Sequence, residues 1–195
     1  MTMPTSTMHA LRVLLLSSLA LAAPLLVADG VASDESQKKQ EHEHERVMSS
    51  ARLVQLVREA TRQFIDVNNA TAAGYGPAFG CVSGPQEGAM GVHYVNTAYA
   101  GDDQLDPSRP EALIYEFSKG RARLVGVEFI VDAEKWAKTH RAGDPPVLEG
   151  QTFHYVGAPN RYTIPAFYEL HVWAWRDNPK GAFVDWNPRV SCEGQ

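Results

Sequence analysis

The chain has 195 residues, which suits one domain with extensions, and 44% of them are hydrophobic and 21% are charged. This composition is typical of a globular protein. The formal net charge is −5 and the sequence has no basic cluster, so nucleic acid is excluded as an expected partner.

Residues 1–32 have the pattern of a secretory signal peptide. Arg12 precedes the apolar run Val13 to Ala28, and small residues precede the two predicted cleavage sites, after Ala22 and after Ala32. An uncleaved membrane anchor is the alternative, but Pro24 interrupts the run, which is short for a span of about 20 residues. The sequence therefore predicts a periplasmic or secreted protein with no stable membrane anchor after cleavage.

A polar segment, residues 29–46, precedes the predicted globular domain, residues 47–195. The segment has almost no apolar residues to bury, so it is expected to be a disordered linker. His42 and His44 alternate with glutamates, as in tracts that capture metal ions. A solvated, charged lead-in to a helix is the favoured interpretation of this pattern.

The first predicted element is a long helix from about Met48 to Ala72. Apolar residues recur at three- and four-residue spacing, as on one buried helix face. They are Leu53, Leu56, Val57, Ala60, Phe64 and Val67. Gly74, Gly76 and Pro77 end the helix. A helix lying on a membrane surface is the rival interpretation, which the mixed charges of its polar side disfavour.

Beyond the helix the hydrophobic period changes to two residues, which indicates β-strands. Five strands are predicted, within residues 89–96, 111–117, 122–132, 151–157 and 165–175, with a short helix at 133–140. Consecutive strands with short connections favour an antiparallel sheet covered by the long helix. The sequence thus predicts an α+β fold, in which one N-terminal helix packs on a curved, mainly antiparallel sheet of about five strands. Cystatin-like and NTF2-like domains have this architecture.

The chain has two cysteines, Cys81 and Cys192, and both remain after signal cleavage. An even pair in an exported protein is predicted to form a disulfide. The closed loop of about 110 residues is worth up to about 4.7 kcal/mol in the chain-entropy model. A reactive or metal-binding thiol is the alternative, and the lack of a CxxC spacing argues against a redox motif.

The fifth predicted strand carries polar residues within an aromatic run, YELHVWAW. The two-residue period places five side chains on one face: Phe167, Glu169, His171, Trp173 and Trp175. The preferred interpretation is an exported, non-enzymatic domain that binds a small ligand or a protein partner in an aromatic-lined cavity. Its predicted ligand-binding residues are Tyr155, Glu169, Trp173 and Trp175.

The same face also carries a metal-binding hypothesis. Three strand histidines and one or two glutamates are expected to converge on one side of the sheet: His93, His154 and His171, with Glu169 or Glu128. Imidazole nitrogen and carboxylate oxygen suit zinc, copper or non-haem iron. A divalent metal is therefore a candidate cofactor of a carrier or of a metal-dependent enzyme, although no compact motif such as HExxH is present.

A purely structural role is the third interpretation of these polar residues. Half-buried histidines and glutamates usually form hydrogen bonds with backbone or with one another. Nucleophilic catalysis is disfavoured because Ser83, Ser108, Ser118 and Ser191 lack a GxSxG elbow. The sequence identifies no catalytic residue and no reaction.

Three stretches are similar to a group of short exported bacterial proteins of uncharacterised function. They are GCVSGPQEGAMGVHYVN, GQTFHYVGAPNRYTIPAFYELHVWAW and VDWNPRVSC. The similarity covers about Val54 to Cys192. It implies an exported bacterial origin and a pairing of Cys81 with Cys192, and it implies no activity. His93, His154 and His171 all lie within the similar stretches.

Overall fold

The computed structural model describes residues 29–141 and 143–194. Most of the predicted signal peptide lies outside these residues, so its presence and cleavage site stay predictions. Within the described part of the chain, no helix is long and apolar enough to cross a membrane. The globular unit that carries the sheet begins at Lys39.

The predicted long helix is present but is divided. Helix α1 covers Asp29–Thr61, a 3₁₀ turn follows at Arg62–Ile65, and α2 covers Val67–Ala72. The break occurs at Asp66, whose carboxylate accepts the N–H of Asn68 as an N-cap. Apolar spacing continues through the break, so the sequence pattern alone reads as one helix.

Residues 29–46, which composition predicts to be a disordered linker, are helical in the structure. Described side chains of this segment are exposed. Oppositely charged residues lie one turn apart, with Lys38 Nζ 2.8 Å from Asp34 Oδ2 and Arg46 Nη1 3.8 Å from Glu43 Oε2. Such pairs stabilise an exposed helix without burying apolar surface. A prediction of disorder from low hydrophobicity therefore does not take them into account.

Six strands form one antiparallel sheet in the order β1-β2-β3-β4-β8-β7. They are β1 (Gly76–Gly84), β2 (Gly88–Val95), β3 (Ala112–Ser118), β4 (Arg121–Asp132), β7 (His154–Val156) and β8 (Phe167–Val172). The remaining elements are α3 (Thr97–Ala100), α4 (Ala133–Thr139) and a separate strand pair, β5 (Val147–Leu148) and β6 (Gln151–Thr152). The sheet curls into a half-barrel, and the α+β prediction is confirmed.

Strand β1 is absent from the sequence prediction because its segment lacks a two-residue period. The register shifts between Ala78 and Cys81, where Phe79 and Gly80 have positive φ angles of 62° and 67°. A bulge of this kind inserts residues that have no partner on the neighbouring strand. The local alternation of apolar and polar residues is lost as a result.

Two predicted strands differ in extent from the structure. The fourth is divided into β6 and β7, which belong to different sheets. The fifth, predicted over residues 165–175, ends at Val172 as β8. The backbone N–H of Trp173 then donates to Ala182 O at 2.9 Å, outside the sheet. The two-residue period therefore does not continue to the end of the aromatic run.

One face of the sheet packs against α1. The core on this face combines Leu53 and Val57 of the helix with Val127, Phe129 and Leu170 of the sheet. All five side chains are at most 1% exposed. Burial of each contributes about 1.5–3 kcal/mol. Because side chains alternate along β4 and β8, the residues between these core positions point to the opposite face.

Cys81 and Cys192 form the predicted disulfide, which joins β1 to the C-terminal segment. Cys192 packs against a smaller apolar cluster of Ala89, Ile114, Val125, Trp173 and Val190. A β-bridge between Ala89 and Asn187 also holds the segment. The chain after β8 is thereby tied to the strands at three successive places.

Candidate metal centre

The face of the sheet opposite the helix carries polar residues from four strands. In-register pairs place Glu128 of β4 beside His171 of β8, and Glu169 of β8 beside His154 of β7. The rings of His93, on β2, and His171 have centroids 5.8 Å apart. In a flat sheet, β2 and β8 would be about 14 Å apart, so the sheet curls toward this face, which we call the inner side.

His93, Glu128 and His171 form a buried group, the inner cluster, with exposed fractions of 4%, 5% and 1%. His93 Nε2 lies 3.3 Å from Glu128 Oε2. Each residue offers a ligand atom within 4.8 Å of the other two. Ligand atoms bound at 2.0–2.2 Å are at most about 4.4 Å apart. Small side-chain adjustments would therefore bring all three atoms to one ion.

Glu169, His171 and Asp185 form a second group, the outer cluster, which shares His171 with the first. Asp185 Oδ1 lies 3.7 Å from His171 Nδ1 and 3.2 Å from His154 Nδ1. The side chain of His154 is 53% exposed and that of Asp185 is 30% exposed. The two clusters thus form a continuous path of imidazoles and carboxylates from solvent to the buried inner side.

Asp185 belongs to the C-terminal segment, and buried Trp173 holds it against β8. The indole N–H of Trp173 donates to Val184 O at 2.6 Å, and its ring lies 6.2 Å from that of His171. Asn178 Nδ2 donates to Trp186 O at 3.0 Å on the other side of Asp185. Trp173 therefore anchors the C-terminal segment beside His171, and its indole N–H is not free to bind a ligand.

Burial sets the protonation of the site. It lowers the pKa of His93 to about 4 and holds the pKa of His171 well below its usual range. Burial also raises the pKa of Glu128 well above its usual range, with the neighbouring Glu169 adding to the rise. Burial raises the pKa of Glu169 to about 7, against a hydrogen bond with Glu128 that lowers it. Both imidazoles are therefore neutral at pH 7, and both carboxyls hold a proton more strongly than an exposed glutamate does.

Four buried polar atoms lack a hydrogen-bond partner among the described residues. They are His93 Nδ1, Glu169 Oε2 and both ring nitrogens of His171. A buried polar atom without a partner costs about 1–3 kcal/mol, and such atoms need an explanation. The purely structural interpretation expects these side chains to bond to backbone or to one another. His171 does neither.

A cavity of about 30 Å³ adjoins the inner cluster. His93 and Glu128 line it together with Phe79, Val95, Ile130, Tyr162, Ile164 and Phe167. Its volume suits about one water molecule, whereas sites for organic ligands measure about 300–1,000 Å³. The space beside the inner cluster therefore suits a single ion or water molecule and is too small for an organic ligand.

The predicted ligand-binding aromatics do not meet in one cavity. Tyr155 is 62% exposed and packs edge-on against Tyr168, with ring centroids 5.4 Å apart. Trp175 packs against the helix-facing core, and its N–H donates to Thr61 Oγ1 at 3.0 Å. Of the four predicted residues, Glu169 and Trp173 are the two that lie at the clusters.

The structure brings the predicted metal-binding residues together more completely than the predicted ligand-binding residues. His93 and His171 lie in the inner cluster with Glu128, and Glu169 lies in the outer cluster. His154 is on the same side but reaches the clusters through Asp185, 3.2 Å away. Sequence reasoning missed Asp185 because its segment has no strand period. The only sequence signal that includes it is the stretch VDWNPRVSC.

Fold and site together define an α+β half-barrel with a histidine–carboxylate centre on its inner side. No protein-family model, no curated protein and no solved structure matches this chain. The similarity to short exported bacterial proteins therefore stays a prediction.

Proposed function

We propose that this protein is exported and binds a divalent first-row transition-metal ion, with zinc as the reference ion, at the inner cluster. The supporting observation is that His93, Glu128 and His171 come from three strands, are all buried, and offer ligand atoms within 4.8 Å of one another. Two imidazoles and one carboxylate are the donor set of zinc and non-haem iron sites that keep an open position.

The charge state of the cluster fits this role. Neutral imidazole is the form of histidine that binds metals, and burial lowers the pKa of both His93 and His171. The raised pKa of Glu128 means that this carboxyl retains a proton, which a dication would displace and metal binding would release to solvent. The ion would also give partners to buried nitrogens that lack them among the described residues.

Export is supported by the signal-peptide pattern of residues 1–32 and by the Cys81–Cys192 disulfide. Disulfides persist in oxidising compartments such as the periplasm. The cavity beside the inner cluster, about 30 Å³, favours a metal-binding protein over an enzyme for organic substrates.

The test is the metal content of the protein after export to a bacterial periplasm and purification through a tag without histidines. The tested chain carries His42→Ala and His44→Ala, because both histidines are exposed on α1. After dialysis against excess zinc and then buffer, elemental analysis should find at least one bound equivalent.

His171→Ala and Glu128→Gln should each remove the inner equivalent. His140→Ala is the matched control, since this exposed histidine stacks on Trp136 away from the site. Far-UV circular dichroism checks that each variant is folded. Equal zinc content in folded His171→Ala and in the parent chain would refute the proposal.

A second candidate function is the binding of a small anionic ligand, and one observation favours it. Trp175, Arg121 and Arg123 line an open groove of about 560 Å³. This volume is within the range of ligand sites, and guanidinium groups pair with carboxylates and phosphates. Saturable binding of 1-anilinonaphthalene-8-sulfonate that weakens in an Arg121→Gln/Arg123→Gln variant would support it. Unchanged binding in that variant would reject it.

A further inference from the structure

We propose that the centre holds two metal ions, and that the outer cluster of Glu169, His171 and Asp185, with His154 at its solvent side, binds the second one. This inference rests on the proposed function, because the two positions share His171. The second ion would be an exchangeable divalent first-row cation.

One ion leaves part of the buried site unexplained. A metal ion in the inner cluster coordinates a single nitrogen of His171, because the two ring nitrogens point in different directions. The other nitrogen and Glu169 Oε2 would remain buried without a hydrogen-bond partner among the described residues. The nearest carboxylate oxygen to His171 Nδ1 belongs to Asp185, 3.7 Å away, which is too far for a hydrogen bond.

A second ion gives these atoms partners. Glu169 and Asp185 belong to the outer cluster alone, just as His93 and Glu128 belong to the inner cluster alone. Each position therefore has donors of its own, and His171 can offer one nitrogen to each ion, releasing its single ring proton to solvent. Two carboxylates balance the charge of a dication at the outer position.

The outer position is also accessible. Asp185 Oδ1 lies 3.2 Å from Nδ1 of His154, whose side chain is 53% exposed. The backbone on both sides of Asp185 is anchored, by Trp173 to Val184 O and by Asn178 to Trp186 O. A half-exposed and anchored set of carboxylate and imidazole donors suits an ion that exchanges faster than the buried one.

Zinc stoichiometry separates the two proposals. Metal-free protein in the His42→Ala/His44→Ala background is titrated with zinc by calorimetry, and two equivalents are expected. Asp185→Asn should bind one equivalent, with the affinity of the inner position changed less than about threefold. Asp144→Asn, an exposed aspartate of another loop, is the control and should bind two.

His154→Ala is the second variant. Because the side chain of His154 is half-exposed, this substitution is not expected to affect folding. It should weaken the outer equivalent at least about tenfold. One equivalent in the parent chain, unchanged in Asp185→Asn, would overturn the second position and leave the first standing. Loss of both equivalents in folded Asp185→Asn, or a second equivalent that persists in both variants, would also overturn it. No binding in the parent chain would refute the proposed function itself.

Discussion

The two faces of β4 and β8 are equally buried and chemically opposite. On the helix-facing side, Val127 and Phe129 are 0% exposed within an apolar core. On the inner side, Glu128, Glu169 and His171 are 5%, 4% and 1% exposed. Apolar burial stabilises the fold, whereas burial of charged groups and of atoms without partners destabilises it.

This sheet therefore combines one face whose burial stabilises the fold with one face whose burial destabilises it. Alternation along a strand sends neighbouring residues to opposite faces, so the same two strands carry both. Buried titratable groups with strongly shifted pKa values concentrate at functional sites. We therefore expect substitutions on the two faces to change stability in opposite directions.

The largest change in the free energy of unfolding is expected from a substitution on the apolar face. Phe129→Ala removes a side chain that is 0% exposed and leaves a cavity in the core. The free energy of unfolding should fall by about 3–5 kcal/mol, measured by urea denaturation. A loss below about 1 kcal/mol would show that the core behind β4 is not tightly packed.

The disulfide joins β1 to the C-terminal segment that carries Asp185, so its removal comes next. Cys81→Ser/Cys192→Ser opens a loop with a sequence separation of 111 residues. Unfolding free energy should fall by about 2–4 kcal/mol. The outer zinc equivalent should weaken more than the inner one, since Asp185 lies on the freed segment. Equal stability of the oxidised and doubly substituted proteins would contradict this expectation.

On the inner side, Glu169→Gln should stabilise the metal-free protein above pH 7. Burial raises the folded-state pKa of Glu169 to about 7 from 4.5. The folded chain therefore keeps a proton that the unfolded chain has released, and the contribution of Glu169 to stability is lost as pH rises from about 4.5 through 7. Glutamine stays neutral, so the variant should gain about 1–3 kcal/mol over the parent chain between pH 5 and pH 8.

The measurement compares thermal or urea unfolding of variant and parent at both pH values with a chelator present. Because the pKa of His93 is lowered in the folded chain, both proteins lose stability as the pH falls below about 6.5. This loss is the same in variant and parent, so it cancels in the comparison. Glu193→Gln, at an exposed position of the C-terminal segment, is the matched control.

The smallest expected effect is on zinc affinity. Glu128 must release its proton to bind the inner ion, and burial raises the pKa of that carboxyl well above its usual range. The zinc affinity of the inner position should therefore fall as the pH is lowered from 8 to 6, by at most about tenfold per pH unit. Calorimetry in two buffers of different ionisation enthalpy would also detect the released proton. An inner-position affinity independent of pH would mean that the Glu128 carboxyl is not a ligand.

Much of the fold could be predicted from local patterns. The helix face, the strands β2 to β4 and the pairing of two cysteines follow from spacing and composition. Strand β1 could not, because the bulge at Phe79 and Gly80 breaks its alternation. The polar residues 29–46 could not either, because charged pairs along a helix leave no hydrophobic signal.

Less of the candidate site could be predicted. The three histidines and two glutamates were identified as residues that could converge, but the aromatic cavity was extrapolated from a strand that ends at Val172. Past that point the backbone turns toward Ala182, and Trp175 moves to the helix-facing side. The alternation of apolar and polar residues in a sequence does not indicate where a strand leaves its sheet.

That Glu169 and His171 share a face follows from the sequence, because alternation is a property of the local backbone. That His93 reaches them, and that Asp185 joins from outside the sheet, depends instead on the tertiary fold. The curl of the sheet and the path of the C-terminal segment depend on contacts between residues far apart in the chain. Ala89 with Asn187 and Cys81 with Cys192 are two such contacts.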